Sequence, residues 1–394
     1  MSKRELFLRF LGQTSDTPLM LNIEFASGIY LIDINGKKYI DLISGVSVSS
    51  LGHNNKKIVE AVKSQAEKYM HLMVYGEYIQ APQVKLAEKL CSILPESLNS
   101  VYYVNSGSEA IEGAIKLAKR YTRRHEIISF KNAYHGSTAG ALSLCGNEGF
   151  KNSFRPLLPG ITIAEVNKQE SIDKISDKTA CVIIEPIQAE AGIMIPSNEF
   201  MQSLRKKCDE TGSLLIFDEI QTGFGRTGKM FAMEHSGVIP DITCFAKAFG
   251  GGMPLGAFVA NKSVMQSFTS DPILGHITTF GGHPVSCAAA LASLEIILNE
   301  NLADNARCMA ELFKSKLKHK AITEIRGYGL LMSVELGSFD KVQKFIQKGI
   351  ENGLVSDWFI FHDTAFRIAP PLNISEAEVN EACSIILKIL DELD

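Results

Sequence analysis

The feature that most constrains this chain is an alternation. Short apolar runs of strand type recur at 101–104, 127–130, 180–184, 214–217, 242–245 and 257–260. Helical patterns separate several of them. Ile58, Val62, Ala66 and Tyr69 share one helix face, and Ile111, Ala114, Ile115 and Ala118 share another. Parallel strands need long crossovers, usually helical, so this order predicts an α/β fold with a mostly parallel sheet sandwiched by helices. No internal repeat, low-complexity tract or Pro/Ser linker interrupts it.

After about residue 290 the texture changes. Residues 285–298 form a long apolar helix, and 324–336 read as strands bent at Gly327 and Gly329. Val342, Phe345, Ile346 and Ile350 make a helical stripe. Ser375 and Glu378 have the spacing of a capping box before a last helix with Val379, Ala382, Ile386 and Leu387 inward. Residues 1–50 carry short strands, 29–34 and 38–42, around the turn Asn35-Gly36. At roughly 150 residues per domain, 394 residues predict two to three domains. The expected division is a large domain over 51–299, a smaller α+β domain over 300–394, and an N-terminal segment over 1–50 packed with the smaller one, because termini often lie close together.

Composition narrows the function. With 40 basic and 44 acidic residues the net charge is −4, and no block of like charge exists. That argues against nucleic acid or an anionic membrane as partner. None of the eight cysteines forms a Cys-x-x-Cys pair, so zinc ribbons and thioredoxin-type sites are not expected, and no metal is. Scattered cysteines predict reduced, buried side chains. Arg9 breaks the apolar run at the N-terminus and no window has the length of a membrane span, so the expected address is the cytoplasm.

Four segments could carry chemistry. Asn-Ser-Gly-Ser-Glu-Ala at 105–110 joins a strand to a helix, with Ser106 and Glu109 spaced as a capping box. A helix N-terminus with free amides is an anion site, although plain capping is the commoner use of such residues. Residues 223–228 match G-x-G-x-x-G, which suggests a dinucleotide-binding enzyme such as a dehydrogenase. Five residues separate the run from its strand and no clear helix opens after Gly228, so the match is a decoy. Lys247 follows an apolar strand and precedes a glycine bend. Burial would lower its pKa and leave a neutral, nucleophilic amine; otherwise it is a lysine at a strand's wet end. Asp218 ends another strand, where ligands of α/β sheets gather. It either holds a protonated nitrogen or caps a turn, and Glu219 points to the opposite face. Together, a phosphate-ready helix end, a strand-end acid and a desolvated lysine are what pyridoxal phosphate needs.

These residues, with Tyr-His-Gly-Ser-Thr at 134–138, Glu-Pro-Ile-Gln-Ala-Glu at 185–190, the run at 217–228, and the segments 246–256, 279–284 and 367–371, carry a resemblance. From about residue 28 to 371 the chain resembles the class III, fold-type I aminotransferases that use pyridoxal 5′-phosphate. The resemblance implies a role for each matching position. Lys247 would be the Schiff-base lysine and the group that moves the substrate proton. Asp218 would face the pyridine nitrogen, Gln221 the phenolic oxygen, and Tyr134 the ring. Gly107 and Ser108 would hold the phosphate, with Glu185 supporting the cofactor from behind. Thr279 would reach the phosphate of a neighbouring subunit, making a homodimer with shared active sites the minimum unit. His135 is left to packing. Arg367 would bind the substrate carboxylate, and Glu190 would pair with it while an ω-amine is bound.

One position departs. Ornithine, acetylornithine and 4-aminobutyrate enzymes of the family usually have arginine where this chain has Ser137, so a second carboxylate clamp is missing from its usual place. Arg155 is a candidate replacement. Tyr75, Tyr78 and Trp358 are candidates for a substrate pocket or for core packing. The implied activity is amino transfer from an amine or amino acid, with an ω-amino donor favoured, to a 2-oxo acid. Acetylornithine/ornithine-type transfer is the alternative, followed by an aminomutase or epimerase of the same fold, and then a binding protein with a vestigial site.

Overall fold

A computed structural model describes residues 1–393. A seven-stranded sheet forms its centre, in the order Ser100–Val104, Gly256–Ala260, Ile242–Phe245, Leu214–Asp218, Thr179–Ile184, Glu126–Phe130, Ile161–Ala164. Gly256–Ala260 runs antiparallel to both neighbours, and the four remaining pairings are parallel. The six strands expected from apolar runs are all present. The sequence did not single out the edge strand Ile161–Ala164, which is only partly buried and carries no continuous apolar run. It also held no sign that Gly256–Ala260 reverses direction, since a buried strand reads alike either way.

Strand alternation fills both faces of this sheet. Val182, Ile184, Leu215 and Phe217 join one buried cluster, while their neighbours Cys181, Ile183, Leu214 and Ile216 join another. Helix Gly107–Thr122 covers the second face with Ala110, Ile111, Ala114 and Leu117. Helices Asn198–Thr211 and Pro284–Asn299 supply Phe200, Leu204, Ala290 and Leu294 to the first. Two-sided burial of this kind explains why these strands read as unbroken apolar runs.

Two four-stranded sheets complete the fold. One pairs Ile23–Ser27, Tyr30–Asp33 and Lys38–Asp41 with Leu354–Val355 from near the other end of the chain. Leu354 lies opposite Ile40 and Val355 opposite Asp41, in parallel. The other contains Glu324–Tyr328, Leu331–Glu335, Trp358–Phe359 and His362–Ile368. The last helix, Glu376–Asp391, opens on the expected capping box: the Glu378 amide donates to Ser375 Oγ and the Ser375 amide to Glu378 Oε2. Among the described residues no single helix is long and apolar enough to cross a membrane. All eight cysteines are unpaired; six are buried, Cys91 is half-buried and Cys308 is exposed, which corrects the expectation that all are buried.

Candidate active site

The carboxyl ends of the parallel strands converge on a cavity of about 430 Å³. Its lining includes Ser106–Ser108, Tyr134–Gly136, Glu185, Glu190, Asp218, Gln221 and Lys247, with Val48 entering from the N-terminal segment. Residues from six separate stretches of chain thus meet at the sheet edge where α/β proteins bind ligands.

The helix end is built locally. Ser106 caps helix Gly107–Thr122, its Oγ accepting from the Glu109 amide at 3.2 Å. The reciprocal half of the expected capping box does not form. Glu109 instead accepts from the Asn105 amide and from Asn105 Nδ2, each at 2.8 Å. First-turn amides such as those of Gly107 and Ser108 have no acceptor within their helix, so they are available to an anion. Gly136 crosses this helix end with φ +126°, and a Cβ there would fall 2.0 Å from Ser108 Oγ. Only glycine fits this close crossing. Ser137 sits beside it, its amide donating to Ser108 Oγ and its hydroxyl 3.1 Å from that of Tyr134.

Asp218 is buried at the end of its strand, with Oδ1 accepting from the Ile220 amide at 3.0 Å. Its Oδ2 accepts from His135 Nδ1 at 2.7 Å. His135, left to packing by the sequence, is therefore the buried partner of Asp218. Burial alone would lower its pKa, but the Asp218 hydrogen bond and the charges of Asp218 and Glu185 raise it overall. Glu185 is held by the amides of Tyr134 and Ala189, at 3.0 and 3.1 Å. Burial pushes its pKa up, against the pull of His135. Glu219 leaves the cavity, as alternation requires, and binds Thr222 Oγ1 and the Ala232 and Met233 amides. Desolvation pushes its pKa up to about 7.

Lys247 opens the short turn after strand Ile242–Phe245 and has φ +49°, a left-handed conformation that costs a non-glycine residue on the order of 1–3 kcal/mol. Its Nζ donates to Gln221 Oε1. Burial lowers the Lys247 pKa and nearby Arg367 lowers it further, while Glu190, Asp218 and Glu185 oppose. The net effect favours the neutral amine at lower pH than in an ordinary lysine.

Arg367 lies behind Glu190, fully buried on strand His362–Ile368. Its two terminal nitrogens each donate to a Glu190 oxygen at 3.0 Å, a bidentate fork, and Nε donates to Asp357 at 3.0 Å. Phe359 lies under the guanidinium at 4.7 Å. Burial would lower the Arg367 pKa, but the two carboxylates raise it; Arg367 in turn holds Glu190 below the ordinary range despite its burial. Asp357 is a second partner that the sequence reading missed.

Other candidates lie elsewhere. Arg155 pairs with Glu148 at 2.6 Å and does not line the cavity. Tyr75, Tyr78 and Trp358 do not line it either; Tyr78 and Trp358 are exposed. Thr279 is exposed outside the cavity, its Oγ1 3.4 Å from the Tyr75 hydroxyl. Its neighbour Thr278 accepts from Asn105 Nδ2 at 2.8 Å. Residues 223–228 form turns with no helix opening at Gly228, so no dinucleotide fold exists there.

A strand-end acid, a desolvated amine and a capped helix end around one cavity define a fold-type I transferase. The class-III aminotransferase profile matches residues 11–390, and the chain belongs to that family. It is 40% identical to the acetylornithine aminotransferase of Archaeoglobus fulgidus over 93% of this chain and 94% of the relative. It is 39% identical to the putrescine aminotransferase of Pectobacterium atrosepticum over 91% and 79%. Among solved structures, a transaminase from the marine bacterium Virgibacillus superposes with a TM-score of 0.93 at 29% identity, covering 99% of this chain and 98% of that one. The ornithine aminotransferase of Toxoplasma gondii, with pyridoxal phosphate partly occupying its active site, superposes at 0.90 with 29% identity, covering 99% and 94%.

Proposed function

We propose that this aminotransferase moves an amino group from an ω-amine donor to a 2-oxo acid at the cavity below Asp218, using pyridoxal phosphate. The observation that carries this reading is the convergence of Lys247, Asp218 and the Gly107 helix end on one cavity. The residues fit the cofactor. Two buried polar atoms near it, His135 Nε2 and Gln221 Nε2, have no protein partner among the described residues. Gly107 and Ser108 would hold the phosphate, Asp218 the ring nitrogen, Gln221 the phenolic oxygen and Tyr134 the ring face. When bound, this cofactor supplies a carbonyl that carries the amino group and a ring that accepts electrons from the substrate carbon.

The chain's own groups do the rest. Asp218 would set its carboxylate opposite the ring nitrogen, and His135 orients it. Lys247, with its lowered pKa, would take the proton from the donor carbon that bears the nitrogen and, in the acceptor half-reaction, deliver one to the 2-oxo acid carbon that receives the nitrogen. Glu190 covers Arg367 while an uncharged or cationic distal group occupies the site. If Glu190 swings away, the guanidinium fork is free for the carboxylate of the 2-oxo acid.

Ser137 and the tethered Arg155 leave no arginine on the cavity wall, and Arg367 behind Glu190 as the one fork near it, which supports an ω-amine donor without a second carboxylate clamp. Acetylornithine, the substrate in the names of several relatives, also presents a terminal amine, so acetylornithine-type transfer is the second reading. An aminomutase or epimerase would need no acceptor. Thr279, exposed and outside its own cavity, supports a homodimer in which it completes the partner's site. A cytoplasmic enzyme with a cofactor-binding unit over 51–299 and a smaller unit over 300–394 completes the proposal.

The test is amino transfer from a panel of diamines, ω-amino acids and α-amino acids, with and without a 2-oxo acid. Transfer that requires the acceptor and favours terminal amines is the expected result; turnover without acceptor would reject it. Glu190→Ala is expected to shift the donor ratio towards α-amino acids by about tenfold, since it uncovers a buried fork worth roughly one charge-assisted pair. Unchanged donor ratios would reject the switch.

A further inference from the structure

The glycine run 223–228, empty of nucleotide chemistry, encloses Arg226, a fully buried guanidinium. Its Nη1 donates to the carbonyls of Leu330 at 2.9 Å and Pro370 at 2.5 Å, and its Nη2 to Ser50 Oγ at 3.1 Å. No carboxylate among the described residues pairs with it. Burial lowers its pKa to about 9, with the charge of Asp41 opposing. A buried cation without an ion-pair partner is costly, so neutral acceptors converging on it from three distant segments need a reason.

The glycines show how tightly these segments meet. A Cβ on Gly329 would fall 2.4 Å from the Gly228 amide nitrogen, and one on Gly225 would fall 3.1 Å from Leu372. Two of the three segments that Arg226 joins, those of Ser50 and Pro370, lead to the substrate side of the cavity. Pro370 lies three residues after Arg367, and Ser50 lies two after Val48, which lines the cavity. Further bonds run in the same register: the Ala369 amide donates to Leu42 O and the Leu372 amide to Ser50 O, each at 2.7 Å. None of Arg226's partners belongs to the Asn105–Ser108 helix end, to Asp218 or to Lys247.

We propose that Arg226 is a positioning residue for the 2-oxo acid half-reaction, fixing the strand that carries Arg367 against the 42–50 segment. Its substitution should loosen the carboxylate fork without touching the cofactor cradle. The donor half-reaction does not need the fork, because Glu190 covers it. This inference rests on the proposed function, since it presumes that Arg367 grips the acceptor.

The test compares the two half-reactions in Arg226→Lys by single-turnover absorbance with one diamine and one 2-oxo acid. Affinity of the apo-protein for pyridoxal phosphate is measured alongside. The expected result is a fall of about tenfold in kcat/KM for the 2-oxo acid, comparable to losing one or two hydrogen bonds to a charged group. The amine value and the cofactor affinity should change by less than about twofold. Equal losses in both half-reactions, or none in either, would overturn the proposal. Ser50→Ala removes one neutral partner and decides the matter if Arg226→Lys fails to fold. It should lower only the 2-oxo acid value, by about threefold, and a uniform or absent effect would overturn the inference. A wild-type protein that transfers no amino group would instead overturn the proposed function.

Discussion

Lys247→Ala is expected to lower amino transfer by at least about 10⁴-fold, because in the proposed mechanism one amine serves both as nucleophile towards the cofactor and as acid and base towards the substrate. Lys247→Arg should be as inactive, although it keeps length and charge. A guanidinium stays protonated and cannot accept the substrate proton. The backbone conformation argues that the loss is chemical. Position 247 already holds a non-glycine residue at φ +49°, so alanine or arginine meets the same backbone constraint. Steady-state transfer, measured with an unfolding midpoint for each variant, checks this. A Lys247→Ala protein with wild-type turnover would move the amine role elsewhere in the cavity.

The second large effect belongs to Asp218. Asp218→Asn retains shape and a hydrogen bond to His135 but removes the charge proposed to face the ring nitrogen. Turnover should fall about 10²–10³-fold, the range for losing one preorganised electrostatic partner in a site shielded from water. Asp218→Glu keeps the charge, but the buried strand end and the 2.7 Å bond to His135 leave little room, so it should recover only part of the rate. The check is kcat for both variants together with the dissociation constant of pyridoxal phosphate from the apo-protein. Equal activity of Asp218→Asn and wild type would show that this carboxylate does not polarise the ring.

What was legible in the sequence follows from what is local. Unbroken apolar runs exposed six of the seven central strands, because both sheet faces are buried. The exception, Ile161–Ala164, sits at an edge and carries a half-wet pattern. Ser375 and Glu378 announced the last helix because both bonds of a capping box lie within four residues. Long-range partners left no such trace. His135 and Asp218 are 83 residues apart, and a histidine before a glycine reads as packing until the fold joins them. Asp357 escaped notice because it lies just before a two-residue strand, Trp358–Phe359, too short for periodicity to reveal. Glu109 reached Asn105 rather than Ser106, a choice of one residue that spacing does not encode. Arg226 was hidden by its own motif: the glycines that suggested a nucleotide turn serve close approach between chain segments instead.

In the proposed mechanism one lysine at the carboxyl edge of the large sheet, Lys247, bonds the cofactor. Borohydride reduction of the holoenzyme followed by peptide mapping tests it directly. A pyridoxyl phosphate mass is expected on the peptide containing Lys247, and it should be lost when an amine donor without acceptor is added first. A label on any other lysine, or one unaffected by the donor, would contradict it.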